Sequence, residues 1–268
     1  AQQGVRPGGG EMSDQPRGAA FFDLDRTLIA GASAFAFARA ARDAGLIRTS
    51  DFVRDALGAL RFRVSGASDD TSMGVRDRIL AGVGGKRRED LIALNEMVLP
   101  ELLAMIRPEA RAVLEQHHAA GRRTFIVSAS PVEIVEPLAQ ALGMTGGIGT
   151  RGEMIDGIYT GRLDGPFCYG EGKAESVKET AARLAIDLDE SFAYSDSASD
   201  IPMLSLVGNA VAVNPDAHLA RVARERGWPV VTFAQRSKML IRRSSTATAV
   251  AGALVAVWVL GVRHGRRT

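Results

Sequence analysis

The sequence predicts an α/β protein built on a parallel sheet, and three observations carry that prediction. Short apolar runs of strand length recur along the chain. A helical pattern follows each of the main ones. Those runs are apolar throughout, without polar alternation, as strands covered by helices on both faces require. The chain has 268 residues, 46% of them hydrophobic and 24% charged, which is enough apolar material for one large domain or a core with an insert.

The first 18 residues, AQQGVRPGGGEMSDQPRG, contain two Pro and five Gly and almost nothing apolar, so this segment is expected to be disordered. No apolar stretch follows a basic start, so no signal peptide is read there and the globule is expected on the cytoplasmic side. The first strand is AAFFDLD, residues 19–25, ending in two carboxylates. The second is TFIVS, 124–128, and the third SFAYS, 191–195. Helices are expected at Pro131–Leu142 and Asp200–Leu206, the latter with Pro202 near its start, where a missing N–H costs nothing. NAVAV (209–213) and PVVTF (229–233) add further strands.

Two segments break the alternation. Residues 32–107 lack strands and read as a helical insert between the first two core strands, with Phe35, Phe37, Phe52 and Phe62 as its apolar core. EMIDGIYTGRL, 153–163, flanks the turn dipeptide Asp156-Gly157 with strand formers and reads as a β-hairpin. The core is thus expected at 19–31 and 108–235, and a tail at 236–268. Within that tail Ser244 to Val262 carries no charge and would measure about 28 Å as a helix, close to a bilayer core of about 30 Å. Basic residues flank both ends, which favours a C-terminal membrane anchor over a packed or dimerising helix.

The formal charge of +2 hides a split. Residues 1–225 hold 25 basic against 31 acidic residues, while 226–268 hold eight basic and no acidic ones. An acidic body argues against a nucleic-acid partner. The lone Cys168 excludes an internal disulfide and a cysteine metal cluster. Gly147, Gly149 and Gly152 fit G-x-G-x-x-G, but a helical pattern precedes them and the hairpin follows, the reverse of what a dinucleotide site needs. His117 and His118 have no metal-ligating neighbours in sequence and read as helix-surface residues.

The chemistry concentrates at expected strand ends. Asp23 and Asp25 close the first strand, at the edge where ligands of open α/β sheets bind. The third strand ends in Ser195-Asp196-Ser197-Ala198-Ser199-Asp200, adding two carboxylates to that edge. Such a cluster needs a compensating cation, and hard oxygen donors suit Mg²⁺. Ser128-Ala129-Ser130-Pro131 supplies a hydroxyl and helix-terminal amides for an anion, and Lys173 in GEGKAES supplies a cation. This set is complementary to a transferring phosphoryl group.

Together FFDLDRTL, IVSASP, the lysine of YGEGKAES, and YSDSASDIPML resemble, in order, the motifs of the haloacid dehalogenase superfamily. The insert resembles the C1 cap of subfamily IB, the phosphoserine-phosphatase-like branch. With the hydrophobic C-terminus the chain is similar to actinobacterial members called inhibitors of morphological differentiation. The resemblance implies a Rossmann-like core and a Mg²⁺-dependent phosphatase acting on a small phosphorylated substrate. It implies Asp23 as nucleophile, forming an aspartyl-phosphate, and Asp25 as general acid and base. Metal ligands would be Asp23, Asp25 through its carbonyl, and Asp196. Ser128, Ala129 and Lys173 would hold the phosphate, and Asp200 would orient Lys173 or a water. Three departures from the family pattern stand out. The phosphoserine phosphatases have a Glu shortly after the first motif, whereas here the only acid between Thr27 and Ser50 is Asp43. Ser199 stands where they have an amide, and Arg26 where many relatives have Gly or Ser. Arg26 is expected to be solvated or paired with a carboxylate. A phosphatase for a lysophospholipid phosphate and a catalytically silent membrane adaptor are the alternatives.

Overall fold

A computed structural model of the chain describes residues 17–45, 80 and 83–233. Its centre is a six-stranded, wholly parallel sheet in the order β3-β2-β1-β6-β7-β8. The strands are β1 (Ala19–Asp23), β2 (Arg123–Pro131), β3 (Gly146–Thr150), β6 (Phe192–Ser195), β7 (Asn209–Val213) and β8 (Val230–Val231). β4 (Gly152–Ile155) and β5 (Ile158–Leu163) form a separate antiparallel hairpin. Between β1 and β2 lie α1 (Ser33–Asp43), α2 (Arg88–Ala93), α3 (Asn95–Ala104) and α4 (Pro108–Ala119). α5 (Val132–Ala141) follows β2, α6 (Glu171–Leu184) follows the hairpin, α7 (Ile201–Leu204) follows β6 and α8 (Ala217–Arg226) follows β7.

β1 is central and buried along its whole length, which explains its lack of polar alternation. Phe21 stacks on Phe125 at 5.5 Å, and Phe22, facing the other way, stacks on Tyr194 at 4.6 Å. Aromatic contacts of this kind on both faces fix the register of β1 against β2 and β6. That register places Asp23 opposite Val127, one residue short of Ser128.

The strands expected from sequence appear: β1, β6 and β8 are shorter than expected, β7 has the expected bounds, and β2 is longer, running from Arg123 to Pro131. β1 stops at Asp23 because the chain turns there: the Leu28 amide donates to the Asp23 carbonyl and the Ile29 amide to that of Leu24. Asp25 therefore sits just beyond the strand. The hairpin closes on Asp156 and Gly157, both at positive φ (51° and 76°), the backbone that an Asp-Gly turn accommodates. β3 was not expected. Its sequence, Gly-Gly-Ile-Gly-Thr, carries almost no strand propensity, because the close approach of α5 selects against side chains. A Cβ on Gly147 would lie 2.6 Å from the backbone of Val135 and Glu136, and one on Gly149 2.8 Å from Ser130 and Val132. Gly147→Ala is accordingly expected to destabilise the fold by about 1–3 kcal/mol through overpacking, measured by urea unfolding.

His117 corrects the surface reading. It is buried, wedged among Phe22, Phe192 and Tyr194, with Nε2 2.9 Å from the Tyr194 hydroxyl. Burial, aided by Arg122 and His118, pushes its pKa down to about 4. Ala110, Leu114 and His117 are the buried positions of α4, a helical spacing that marks this histidine as inward-facing. Phe35 is likewise exposed rather than part of an apolar core. Residues 1–16, Phe52, Phe62 and the apolar stretch 244–262 lie outside the described residues. Among the described residues no helix is long and apolar enough to cross a membrane.

Candidate active site

The carboxyl ends of β1, β2 and β6 meet at one edge of the sheet, and the polar residues predicted from sequence gather there. Asp23, Ser128, Lys173, Asp196 and Asp200 are all buried. A cluster so depleted of water is tolerable only if its charges are paired. Lys173, near the start of α6, supplies the pairing: its Nζ donates to Asp23 Oδ1 at 2.7 Å and to Asp200 Oδ2 at 2.8 Å. The Ser195 hydroxyl donates to the same Asp200 oxygen at 2.6 Å. Burial alone would pull the Lys173 pKa down, but the carboxylates of Asp200 and Asp23 outweigh it, and the ammonium stays charged.

Asp196 lies at the end of β6 and takes a different cation. Arg26 Nε stands 2.7 Å from Asp196 Oδ2, so Arg26 is carboxylate-paired, with about half of its side chain in water. Its backbone adopts φ 64°, a conformation unfavourable for a residue with a Cβ. The Asp216 amide donates to the Asp196 carbonyl, and Asp216 Oδ2 accepts from the Ala198 amide at 2.8 Å. This residue anchors the loop that carries Asp196 and Asp200. Sequence reasoning missed it, although its place before α8, whose Leu219 amide it also caps, is a recognisable helix-start signal.

A third set joins Asp25 to the last part of β2, where Ser128, Ala129 and Ser130 lie. The Ser33 amide, at the start of α1, donates to Asp25 Oδ1 at 2.7 Å. The Ser33 and Ser130 hydroxyls are 2.9 Å apart. The Ser130 amide donates to Ser128 Oγ at 3.2 Å. Because Ser128 Oγ accepts there, its own proton remains available for an anion. The Ala129 carbonyl accepts from the Thr150 hydroxyl, which ties the end of β2 to β3. Ser199 stands apart: its hydroxyl meets only that of Ser197, at 3.0 Å.

The carboxylates crowd one another. Burial pushes Asp23 up to about 7, with Asp200 and Asp25 adding and Lys173 opposing. Burial pushes Asp196 up to about 8, with Asp23 adding and Arg26 opposing. Asp25 is also raised by burial, against hydrogen bonds from Ser33. Asp200 Oδ1 is buried without a hydrogen-bond partner. Hard oxygen donors, mutual repulsion and an orphaned carboxylate oxygen are what a divalent cation or its bound water would relieve. Among the described residues no three His, Cys, Asp or Glu side chains are grouped to hold a metal by themselves.

A model of the haloacid dehalogenase-like hydrolase family matches residues 20–205, a span that contains every one of these groups except Asp216. The chain belongs to the haloacid dehalogenase-like hydrolases. Among relatives of this hydrolase is a protein called phosphoserine phosphatase SerB1 from Mycobacterium tuberculosis, 41% identical over 89% of this chain and 79% of that protein. A histidinol-phosphatase from Neisseria meningitidis is 33% identical over 80% of this chain and 98% of its own length. A solved structure of a Bordetella pertussis protein of unknown function superposes with a TM-score of 0.68 at 29% identity, covering 81% of this chain and 99% of that one. The similarity of the hydrolase therefore extends to the phosphoserine-phosphatase-like branch expected from its motifs.

Proposed function

We propose that this hydrolase is a Mg²⁺-dependent phosphatase that cleaves a small phosphate monoester through an aspartyl-phosphate on Asp23. The observation that carries the reading is the Lys173 ammonium shared between Asp23 and Asp200. It neutralises the carboxylate cluster and holds one Asp23 oxygen, leaving the other to attack phosphorus. Mg²⁺, held by the carboxylates of Asp23 and Asp196 and the carbonyl of Asp25, would supply positive charge to the phosphoryl oxygens. Ser128 and the Ala129 amide, at the end of β2, hold the remaining phosphoryl oxygens together with Lys173. Asp25 donates its proton to the departing alkoxide. It then removes a proton from the water that attacks the aspartyl-phosphate, regenerating Asp23. The insert expected at 32–107, of which α1, α2 and α3 lie among the described residues and 46–79 do not, would serve as the cap that excludes water from the leaving-group side.

The named relatives indicate the substrate class. Phosphoserine and histidinol phosphate share one unit, a phosphate on a primary carbon next to a carbon bearing an ammonium. A small 2-aminoalkyl phosphate is the substrate class that the two relatives' names have in common and the one proposed for this hydrolase. Purified protein with Mg²⁺ is tested against phosphoserine, histidinol phosphate, sugar phosphates and a lysophosphatidate. The two aminoalkyl esters are expected to turn over fastest, with EDTA abolishing the reaction and added Mg²⁺ restoring it. No hydrolysis of any ester in the presence of Mg²⁺ would overturn the reading.

A further inference from the structure

The general acid of a phosphatase has to point its proton at the leaving oxygen, and in this structure the group that aims Asp25 comes from the insert. Ser33 is the first residue of α1, where a helix leaves its leading amides without internal partners. One of those amides is spent on Asp25 Oδ1 at 2.7 Å. That bond fixes the carboxyl group and leaves Oδ2 to carry the transferable proton. The Ser33 side chain, itself almost fully buried, reaches across to Ser130 at 2.9 Å. The Ser130 amide in turn donates to Ser128 Oγ at 3.2 Å. The chain Asp25–Ser33–Ser130–Ser128 runs from the leaving-group side of the site to its phosphate side. It also spans the joint between the start of α1 and the end of β2, two elements separated by 97 residues at the serine pair.

Resting on the reading of Asp25 as general acid and base, we propose that Ser33 and Ser130 are positioning residues. Their hydroxyl–hydroxyl bond sets the orientation of Asp25 relative to the phosphate held at Ser128. Ser33 acts through Asp25, which it holds at Oδ1, and Ser130 acts through Ser33. Their effect is to make proton donation conditional on α1 being seated against the β2 loop. A hydrophobic packing role would not need two hydroxyls facing each other.

The test uses the dependence on leaving group. An alkyl ester needs a proton at its departing oxygen, whereas p-nitrophenolate leaves readily without one. Ser33→Ala and Ser130→Ala are each measured for kcat/KM on the best alkyl ester and on p-nitrophenyl phosphate, with thermal unfolding as a fold control. Each variant is expected to lose about 10- to 100-fold on the alkyl ester, the scale of a misplaced catalytic group. The loss on p-nitrophenyl phosphate should be smaller by about tenfold. Because both substitutions break one bond, the double variant is expected to lose no more than the worse single one. Equal losses on the two esters, or single losses that multiply in the double variant, would overturn the inference. A wild-type protein inactive on both esters would instead remove the phosphatase reading on which it rests.

Discussion

Asp23→Asn is expected to abolish turnover while leaving the fold intact. The substitution keeps the size and a hydrogen-bond acceptor for Lys173 but removes the anionic oxygen that must form the bond to phosphorus. Losing a nucleophile typically costs about 10⁴-fold or more. The other carboxylates are not expected to substitute, because Asp200 is held by Lys173 and Ser195 through one oxygen, Asp196 is paired with Arg26 and Asp25 is held by the Ser33 amide. The neutral amide also relieves the repulsion within the cluster, so circular dichroism and thermal unfolding should match wild type or show a more stable protein. Rates within tenfold of wild type on any accepted ester would exclude Asp23 as nucleophile.

The second large effect is on stability. Lys173→Met replaces a buried ammonium with an apolar side chain of similar length and leaves Asp23 and Asp200 facing each other without it. Removing one member of a buried charge group typically costs about 3–5 kcal/mol, which in a domain of this size corresponds to a melting temperature lower by about 6–20 °C. The cost has two sources. The carboxylates lose their counter-ion, and Asp200, already carrying one orphaned oxygen, loses one of its two hydrogen-bond donors. Mg²⁺ should recover part of the loss by compensating Asp23. A melting temperature unchanged by the substitution would mean that the ammonium does not neutralise the cluster.

Much of this site was legible in the sequence because its groups sit at strand ends, where an apolar run stops and polar residues begin. Asp23, Ser128 and Asp196 are of that kind, and the parallel sheet brings them together without further information. Asp200 was legible as the second acid of the run after the third strand and Lys173 as the cation at an expected helix start, and the structure joins them through a direct bond. What stayed hidden depends on contacts between distant segments. Ser33 has no pattern of its own, and its importance arises only when α1 meets the β2 loop. Asp216 was missed because its bonds to Asp196 and Ala198 join the segment after β7 to the segment after β6, a contact that no local pattern announces. The strand β3 was concealed by glycines that the approach of α5 demands, and the interior place of His117 by the polarity of its ring. Arg26 was recognised as an oddity of type, yet only the geometry identifies Asp196 as its partner.

The central claim is that Asp23 receives the phosphoryl group, and acid quenching during steady turnover of p-nitrophenyl phosphate with Mg²⁺, followed by peptide mass spectrometry, tests it most directly. The expected result is a phosphate on the peptide that contains Asp23, absent from Asp23→Asn and absent when EDTA replaces Mg²⁺. A phosphate found instead on Ser128, or continued turnover with no phosphorylated peptide at any quench time, would contradict it.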